Sequence, residues 1–315
     1  MQRPSIALSP AEERALALRI GQHLHAAAQE MGMADRGVDR RALAESAGRH
    51  DEAAVAPPRS LRQPVVGLMR WELGHGLAED VVRLARAWWP VVGMAADLAW
   101  MKEFAAVGER AAIEIRDPAA LTELLTMAAE SAERTGDWLM AEARWVRVLS
   151  LVRAQKNHEV VCATLATLGD FYRRWGRLHR AMDVLSDLVA TCDRVHDNRG
   201  VLAALHDLAV VLLDAGRAAA AVPPLVRAVA LAVEDDTVED RARAELLILL
   251  GRAHWMSDKA RAAREAFSGA LALLVDADAD GADYVRSLLA TPDAGSLPVR
   301  ISGSAGQGGR RTRPP

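Results

Sequence analysis

The stretch that decides the fold reads RTGDWLMAEARW over residues 134–145. A Gly-Asp pair beginning at Gly136 interrupts a run of helix-forming residues, and a small residue, Ala141, follows that glycine by five positions. The same arrangement returns in RWGRLHRAMDVL (174–185) and in DAGRAAAAVPPL (214–225). A turn glycine followed by an alanine therefore recurs every forty residues, and a fixed period of this size is typical of a repeat array.

Each repeat contains two amphipathic segments, one before the glycine and one after it. In the unit at 162–193 the first segment carries Leu165, Leu168, Gly169 and Tyr172 on one helical face, and the second carries Ala181, Val184, Leu185 and Leu188. Glycine permits the turn, and alanine permits two helices to approach closely. The template also fits 202–233 and 244–275, where Asp258 replaces the glycine, so the sequence predicts stacked antiparallel helix pairs.

This combination of a small residue, a turn glycine and an alanine–large apolar–alanine pattern resembles tetratricopeptide (TPR) repeats of a longer variety, with about forty residues per unit. Five such units extend from about residue 82 to residue 275. The resemblance implies an all-α fold over residues 61–290, a right-handed α-solenoid of stacked antiparallel helix pairs.

A second resemblance concerns LMRWELGHGLAEDVVRLARAWWPVV (68–92), which is similar to the entry of the helical sensor region in bacterial STAND-type regulators. The ATPase of such regulators needs a GxxxxGK[ST] loop to hold phosphate. None of the three lysines, Lys102, Lys156 and Lys259, follows such a glycine run. The resemblance therefore implies a free-standing sensor or scaffold, or a fragment separated from its motor, with a separate ATPase or regulator as a partner.

Composition limits the classes of partner. Hydrophobic residues make up 51% of the chain and the formal net charge is −3, so the protein can form a large core and has no global field that attracts nucleic acid. No signal-peptide-like segment and no long uncharged apolar run are evident, so we expect a cytoplasmic protein without a membrane partner. Cys162 and Cys192 lie thirty residues apart without a CxxC motif, which favours reduced structural thiols.

The two ends of the chain differ from the repeats. Residues 1–60 are expected to contain N-terminal helices at 10–30 and 38–48, followed by a Pro-rich linker, VAPPRS, at 55–60. Residues 291–315 have little to bury, and we expect a disordered basic tail.

Two motifs imitate functional sites. DADADGAD (276–283) resembles a calcium loop, but Ser287 stands where the loop requires a bidentate glutamate. LAESAG (43–48) begins like a helix-turn-helix, but Pro57-Pro58 would interrupt its recognition helix. We therefore predict no metal site, and a DNA-binding regulator that uses residues 38–60 remains the alternative function.

Catalytic motifs are not evident in the sequence, which contains neither HExxH nor GxSxG. We expect no enzyme activity and no cofactor. An enzyme site assembled by the fold from scattered residues remains a third class, which a ligand-sized pocket with clustered perturbed side chains would indicate.

The TPR resemblance places partner binding on a concave wall built from the first helix of each unit. Carried onto this sequence, the groove-facing residues are Arg83, Arg86, Glu130, Glu133, Arg134, Asp170, Arg173, Arg174, His206, Arg252 and Trp255. Arginine would pair with a carboxylate or phosphate of the partner, and Trp255 would supply apolar contact. The leading prediction is a non-enzymatic scaffold or sensor that binds a protein or peptide in bacterial signalling or transcriptional regulation.

Overall fold

The described part of the chain is built from α-helices. The structure, a computed structural model, describes residues 9, 11, 15, 19–24, 26, 59–94, 97–275 and 278–290. Within these residues no strand occurs, and the residues described between 11 and 26 are helical. Twelve further helices follow: α1 (Arg59–Gly74), α2 (Ala78–Met94), α3 (Leu98–Ile115), α4 (Pro118–Arg134), α5 (Trp138–Ala154), α6 (His158–Arg174), α7 (Leu178–Arg194), α8 (Asn198–Asp214), α9 (Ala218–Glu234), α10 (Asp240–Trp255), α11 (Ala260–Leu274) and α12 (Ala279–Leu289). The predicted all-α fold is confirmed.

The repeat is more regular than the sequence indicates. The six helices α4 to α9 each contain 17 residues and begin twenty residues apart, so each connection is three residues long. The forty-residue period is therefore two helix–turn units of equal length. Short connections of this kind join antiparallel neighbours.

Each of these turns depends on one residue in the left-handed backbone region. The turn glycines take it, with φ of 76° at both Gly136 and Gly176. At the first of them the Gly136 amide donates to the Glu133 carbonyl (3.0 Å) and the Asp137 amide to the Ala132 carbonyl (2.8 Å), which satisfies the last carbonyls of the helix. The other turns place non-glycine residues in this region: Arg116, Lys156, His196 and Asp258.

Several helix starts carry a side-chain cap. Asp117, Asn157 and Asp197 follow non-glycine turns and accept a hydrogen bond from a backbone amide of the next helix. Asp137, after the Gly136 turn, also accepts from the Met140 amide (3.4 Å), whereas Lys259, after the Asp258 turn, makes no such bond. After the glycine turns at α7 and α9 the N-cap residues are Arg177 and Arg217, which make no side-chain cap. An aspartate or asparagine cap stabilises a helix by about 1 kcal/mol, so it offsets part of the cost of a non-glycine turn.

The described residues form two compact units that divide between Leu151 and Val152. Unit 1 contains α1 to α4 and most of α5, and unit 2 contains the end of α5 and α6 to α12. Within each unit a helix packs mainly on its neighbours in the sequence. In unit 2, α8 also contacts both α6 and α10, so the even-numbered helices form a layer of their own.

The core of unit 1 centres on aromatic and methionine side chains of α1 to α3. Trp88 and Met101 are fully buried, and Phe104 is 1% exposed. The Trp88 indole Nε1 donates to the Leu24 carbonyl across 3.1 Å. Leu24 therefore packs against α2.

Helix pairs of unit 2 approach closely at small residues. A Cβ atom on Gly169 would lie 2.7 Å from the Leu185 side chain, and one on Gly251 would lie 2.4 Å from Phe267. The alanines that follow the turns, Ala141, Ala181, Ala221 and Ala263, are fully buried. The packing role predicted for these small residues is thus seen in the structure.

Ion pairs join odd-numbered helices about one repeat apart. Arg70 of α1 lies 2.8 Å from Glu103 of α3, and Arg144 of α5 lies 2.9 Å from Glu109 of α3. In unit 2, Arg227 of α9 pairs with Asp193 of α7. The Arg144–Glu109 pair is mostly buried, with side-chain exposures of 18% and 19%, whereas the other two pairs are more exposed and each contribute little to the free energy of unfolding.

The part of the acidic stretch 276–283 that the structure describes, residues 278–283, does not form a calcium loop. The Asp278 carboxylate accepts from the Gly281 amide (2.9 Å) and caps α12, and Asp280 and Asp283 lie within that helix. Residues 276 and 277 lie outside the described residues, as do 38–48, 55–58 and 291–315. Arg59 and Ser60, predicted as linker, begin α1.

The two cysteines are free thiols on neighbouring helices. Their Sγ atoms are 3.4 Å apart, and Cys192 is 1% exposed. Burial, the contact with Cys162 and nearby carboxylates raise the pKa of the Cys192 thiol to about 12. Cys192 is therefore protonated at neutral pH, which suits a structural thiol.

None of the described helices combines the length and the apolar content that crossing a bilayer would require.

The close approach at Gly251 predicts an asymmetric response to alanine. Gly251→Ala should lower the free energy of unfolding by about 1–3 kcal/mol, because the methyl group overpacks against the buried Phe267 ring. Gly67→Ala should raise it by about 0.5–1 kcal/mol, because nothing lies within 4 Å of that position in α1 and alanine favours helix. Urea unfolding of both variants measures the difference; equal stabilisation by the two would disprove the close approach.

A buried carboxyl in unit 1 predicts a pH dependence of stability. Burial raises the pKa of Glu72 from 4.5 to about 7, against the opposing effect of Arg83. Between pH 4.5 and 7 the unfolded chain has lost a proton that the folded chain retains, so the contribution of Glu72 to stability falls as pH rises through this window.

Glu72→Gln should remove this dependence. The variant should match the wild type near pH 4.5 and exceed its free energy of unfolding by about 2 kcal/mol at pH 8. The measurement is chemical denaturation at several pH values, with Glu79→Gln, an exposed position on α2, as the control. A constant difference between Glu72→Gln and the wild type across that range would contradict the assignment.

Candidate partner-binding surface

The even-numbered helices of unit 2 expose one face each. On α6, Leu165, Leu168 and Tyr172 are buried, whereas Asp170 and Arg174 lie on the opposite side and are exposed. We define the even-helix surface as the exposed and half-buried residues Ala163, Thr167, Asp170, Arg173, Arg174, Ala203, His206, Asp207, Asp214, Glu245 and Arg252. This surface contains five of the residues predicted from the sequence: Asp170, Arg173, Arg174, His206 and Arg252.

One aspartate organises the cationic cluster of α6. Asp170 accepts from Arg173 through one carboxylate oxygen (2.9 Å) and from Arg174 through the other (2.8 Å). All three side chains are close to half exposed. The charge of the two arginines is thus partly neutralised, and both guanidinium groups are held in defined positions.

His206 connects α8 to α10. Its Nδ1 lies 3.1 Å from the Asp207 carboxylate and its Nε2 lies 4.0 Å from Glu245. The hydrogen bond with Asp207 raises the pKa of His206; burial opposes this, and the charges of Asp207 and Glu245 add to it. The charge of the surface at this point therefore changes as pH falls through the range where histidine titrates.

Trp255 requires a correction. The sequence placed it on the groove, but the side chain is only 6% exposed and packs in the core formed by α10, α11 and α12 with Ile248 and Phe267. The reason is that three helices meet at the end of α10, where burial of a large ring is most favourable. Arg252, one turn earlier, is half-buried.

In unit 1 the predicted arginines of α2 are paired. Arg83 pairs with Asp80 on its own helix, and Arg86 reaches Glu123 of α4 across 2.6 Å. On α4, Glu130 and Arg134 are exposed.

Glu133 of α4 has a hydrogen-bond partner on the next helix. Its carboxylate accepts from the Trp145 indole Nε1 of α5 at 2.5 Å, and the residue is half-buried there. This hydrogen bond stabilises the α4–α5 pair, and the place of Glu133 on a groove stays a prediction.

The sequence analysis did not identify the acidic partners of two predicted residues, Arg86 and His206. Glu123 lies 37 residues after Arg86, and Glu245 lies 39 residues after His206. Both partners occupy the next even-numbered helix. A search for opposite charges one repeat apart would have found them.

A cavity in unit 1 was also missed. It lies between α3, α4 and α5 and has a volume of about 250 Å³, and Ala128, Ser131 and Ala132 are the residues of α4 that line it. The equivalent positions of α6 carry Leu168, Phe171 and Tyr172, so a comparison of the repeats shows where the small residues are.

The chemistry of the even-helix surface is charge pairing and hydrogen bonding. Within the described ranges no group of three or more His, Cys, Asp or Glu side chains could hold a metal ion. Carboxylates and guanidinium groups alternate along the surface, and they can exchange their internal pairs for those of a partner.

Comparison with known proteins gives a likeness of fold. No protein-family model matches the sequence, and no curated protein matches it either. The likeness to STAND-type regulators stays a prediction.

Solved structures do resemble the chain. Aspartyl phosphate phosphatase F from Bacillus subtilis is 11% identical, with a TM-score of 0.54 over 92% of this chain and 82% of that one. A putative kinesin light chain from Podosopora anserina with nearly identical TPR-like repeats is 17% identical, with a TM-score of 0.49 over 70% and 98%. BtubC (BKLC) from P. vanneervenii is 16% identical, with a TM-score of 0.48 over 70% and 91%. The chain has the all-α, TPR-like helical-repeat fold.

Proposed function

We propose that this chain is a protein- or peptide-binding scaffold or sensor that acts in the bacterial cytoplasm, in signalling or transcriptional regulation, and that it binds without catalysing a reaction. The observation that carries the proposal is the even-helix surface of unit 2. Successive even-numbered helices present charged side chains that are already positioned by Asp170, Asp207 and Glu245. Repeat proteins of this architecture commonly bind partners on such surfaces.

The energetics of the surface favour exchange with a partner. Ion pairs between exposed side chains are weak, so the Asp170 pairs with Arg173 and Arg174 can open at little cost. A carboxylate of a partner that excludes water would form a stronger, bidentate pair with either guanidinium group. The surface is therefore suited to a partner segment that carries acidic residues.

The likeness to aspartyl phosphate phosphatase F supports the fold in this proposal and transfers no phosphatase chemistry to this chain. A separate ATPase or regulator is one of the proposed partners, because residues 68–92 resemble the entry of a STAND-type sensor region. A protein-binding role requires no ATPase site in this chain.

Charge reversal on α6 tests the proposal. The double variant Arg173→Glu, Arg174→Glu should reduce capture of the partner from native cell lysate by tenfold or more, because two attractive contacts become repulsive. Capture is measured by quantitative mass spectrometry, and circular dichroism should show unchanged helical content.

The matched control is Arg261→Glu with Arg264→Glu on α11, which makes the same change in net charge at exposed positions away from the even-helix surface. The control should retain the partner. Equal retention by both double variants would show that the even-helix surface is not the binding surface.

A further inference from the structure

The two cysteines of the chain lie against each other inside unit 2. Cys162 is on α6, Cys192 follows thirty residues later on α7, and their Sγ atoms are 3.4 Å apart. The chain contains no other cysteine. The sulfur atoms of a disulfide are about 2.05 Å apart, so the two Sγ atoms have to approach by about 1.4 Å to form one.

The surroundings of the two sulfur atoms differ. Cys192 is 1% exposed, whereas Cys162 is half-buried. The Cys192 thiol donates its hydrogen to Cys162 Sγ. On another side Cys192 is covered by α8, where a Cβ atom on Gly200 would lie 2.8 Å from Cys192 Sγ. A small oxidant therefore reaches the pair at Cys162, and Cys192 lies behind it.

The same surroundings give the two thiols different reactivities. Burial, the hydrogen bond to Cys162 and nearby negative charge raise the pKa of the Cys192 thiol to about 12. Because the thiolate is the nucleophile, Cys192 does not react first with an oxidant at neutral pH. The hydrogen bond and the charge that come from Cys162 end once Cys162 is oxidised. Cys162 therefore suits the first step, and Cys192 suits a slower second step.

We propose that Cys162 and Cys192 form a reversible disulfide when the chain meets hydrogen peroxide, and that this bond locks α6 to α7. Cys162 is oxidised first, and Cys192 then resolves the oxidised sulfur. The inference goes beyond the proposed function and requires no partner. In the reduced protein both residues serve as packing thiols.

The reaction consumes one peroxide molecule per disulfide. The Cys162 thiolate attacks one peroxide oxygen, the O–O bond breaks, and the leaving hydroxide takes up the proton that the thiol had lost, which gives a sulfenic acid and water. The Cys192 sulfur then attacks the Cys162 sulfur and the S–O bond breaks. The second hydroxide leaves with the Cys192 proton as water. The peroxide gains the two electrons that the thiols lose.

The bond has a structural effect because it closes a loop through the Gly176 turn. A cross-link of this length restricts the unfolded chain and so favours the folded α6–α7 pair. α6 also carries Arg173 and Arg174 of the even-helix surface, so oxidation acts on the helix that bears this cationic cluster. The expected rise in Tm is about 5 °C.

The first test follows the thiols of the full wild-type chain. The protein is treated with a small molar excess of hydrogen peroxide, unfolded in the presence of iodoacetamide and analysed by mass spectrometry. Each chain should lose two hydrogen atoms, take up no iodoacetamide and yield a linked Cys162–Cys192 peptide. Non-reducing electrophoresis should show single chains, and dithiothreitol should restore both thiols.

Three results with the wild type would overturn the proposal: two thiols that remain open to alkylation, a disulfide-linked dimer, or sulfinic acid at Cys162 while Cys192 stays a free thiol. This measurement decides the proposal without any variant, so it does not depend on whether a substituted chain folds.

Single variants test the order of the two steps. Cys192→Ala should accumulate sulfenic acid at Cys162, which dimedone traps and mass spectrometry detects. Cys162→Ala should leave Cys192 as a free thiol at the same exposure to peroxide, because the remaining sulfur is buried and protonated. Circular dichroism should show unchanged helical content. Oxidation of Cys192 in a folded Cys162→Ala at the wild-type rate would contradict the order.

Thermal unfolding tests the lock. Peroxide should raise the Tm of the wild type by about 5 °C, and dithiothreitol should reverse the rise. The matched control is the double variant Cys162→Ala, Cys192→Ala, whose Tm should not respond to peroxide. A linked wild type with an unchanged Tm would show that the bond does not lock the helix pair.

Discussion

The close approach of two helices at a small residue is the contact on which this architecture depends. At Gly169 and Gly251 the space of a missing Cβ is occupied by Leu185 and Phe267 of the following helix. Two helices in such contact bury more apolar surface and leave no void between their backbones. One side of each helix then packs on its partner in the pair, and another side packs on the next pair. The remaining side of each even-numbered helix is exposed.

The turns convert that contact into a regular array. A left-handed residue closes each three-residue connection from α4 to α9, so helices of equal length alternate in direction. Charged residues of neighbouring modules then meet about one repeat apart, as Arg86 meets Glu123 and His206 meets Glu245. The surface chemistry is therefore set by the period as well as by the residue types.

The repeat period, the glycine turns and the close helix contacts could be predicted from the sequence, because glycine and alanine are favoured at such positions. Gly136 and Gly176, forty residues apart, indicated two of the turns. Arg116 and His196 occupy the same backbone region without a distinguishing residue type, so their turns could not be predicted from the residue alone. Trp255 was misplaced because the repeat template assigns a residue to a helical face but does not give the burial that neighbouring helices create.

The equal lengths of successive modules have a consequence for changes in repeat number. Removing residues 178–217 would join Arg177 to Ala218, both of which begin a helix after a left-handed glycine, so α9 would take the place of α7 with the same face outward. Removing only residues 178–197 would instead put α8 in the position of α7 and turn the charged side of every later even-numbered helix towards the opposite layer. Gain or loss of whole forty-residue blocks is therefore tolerated by the geometry, and half-blocks are not. The array can therefore change its length only in steps that keep the even-numbered helices in one layer.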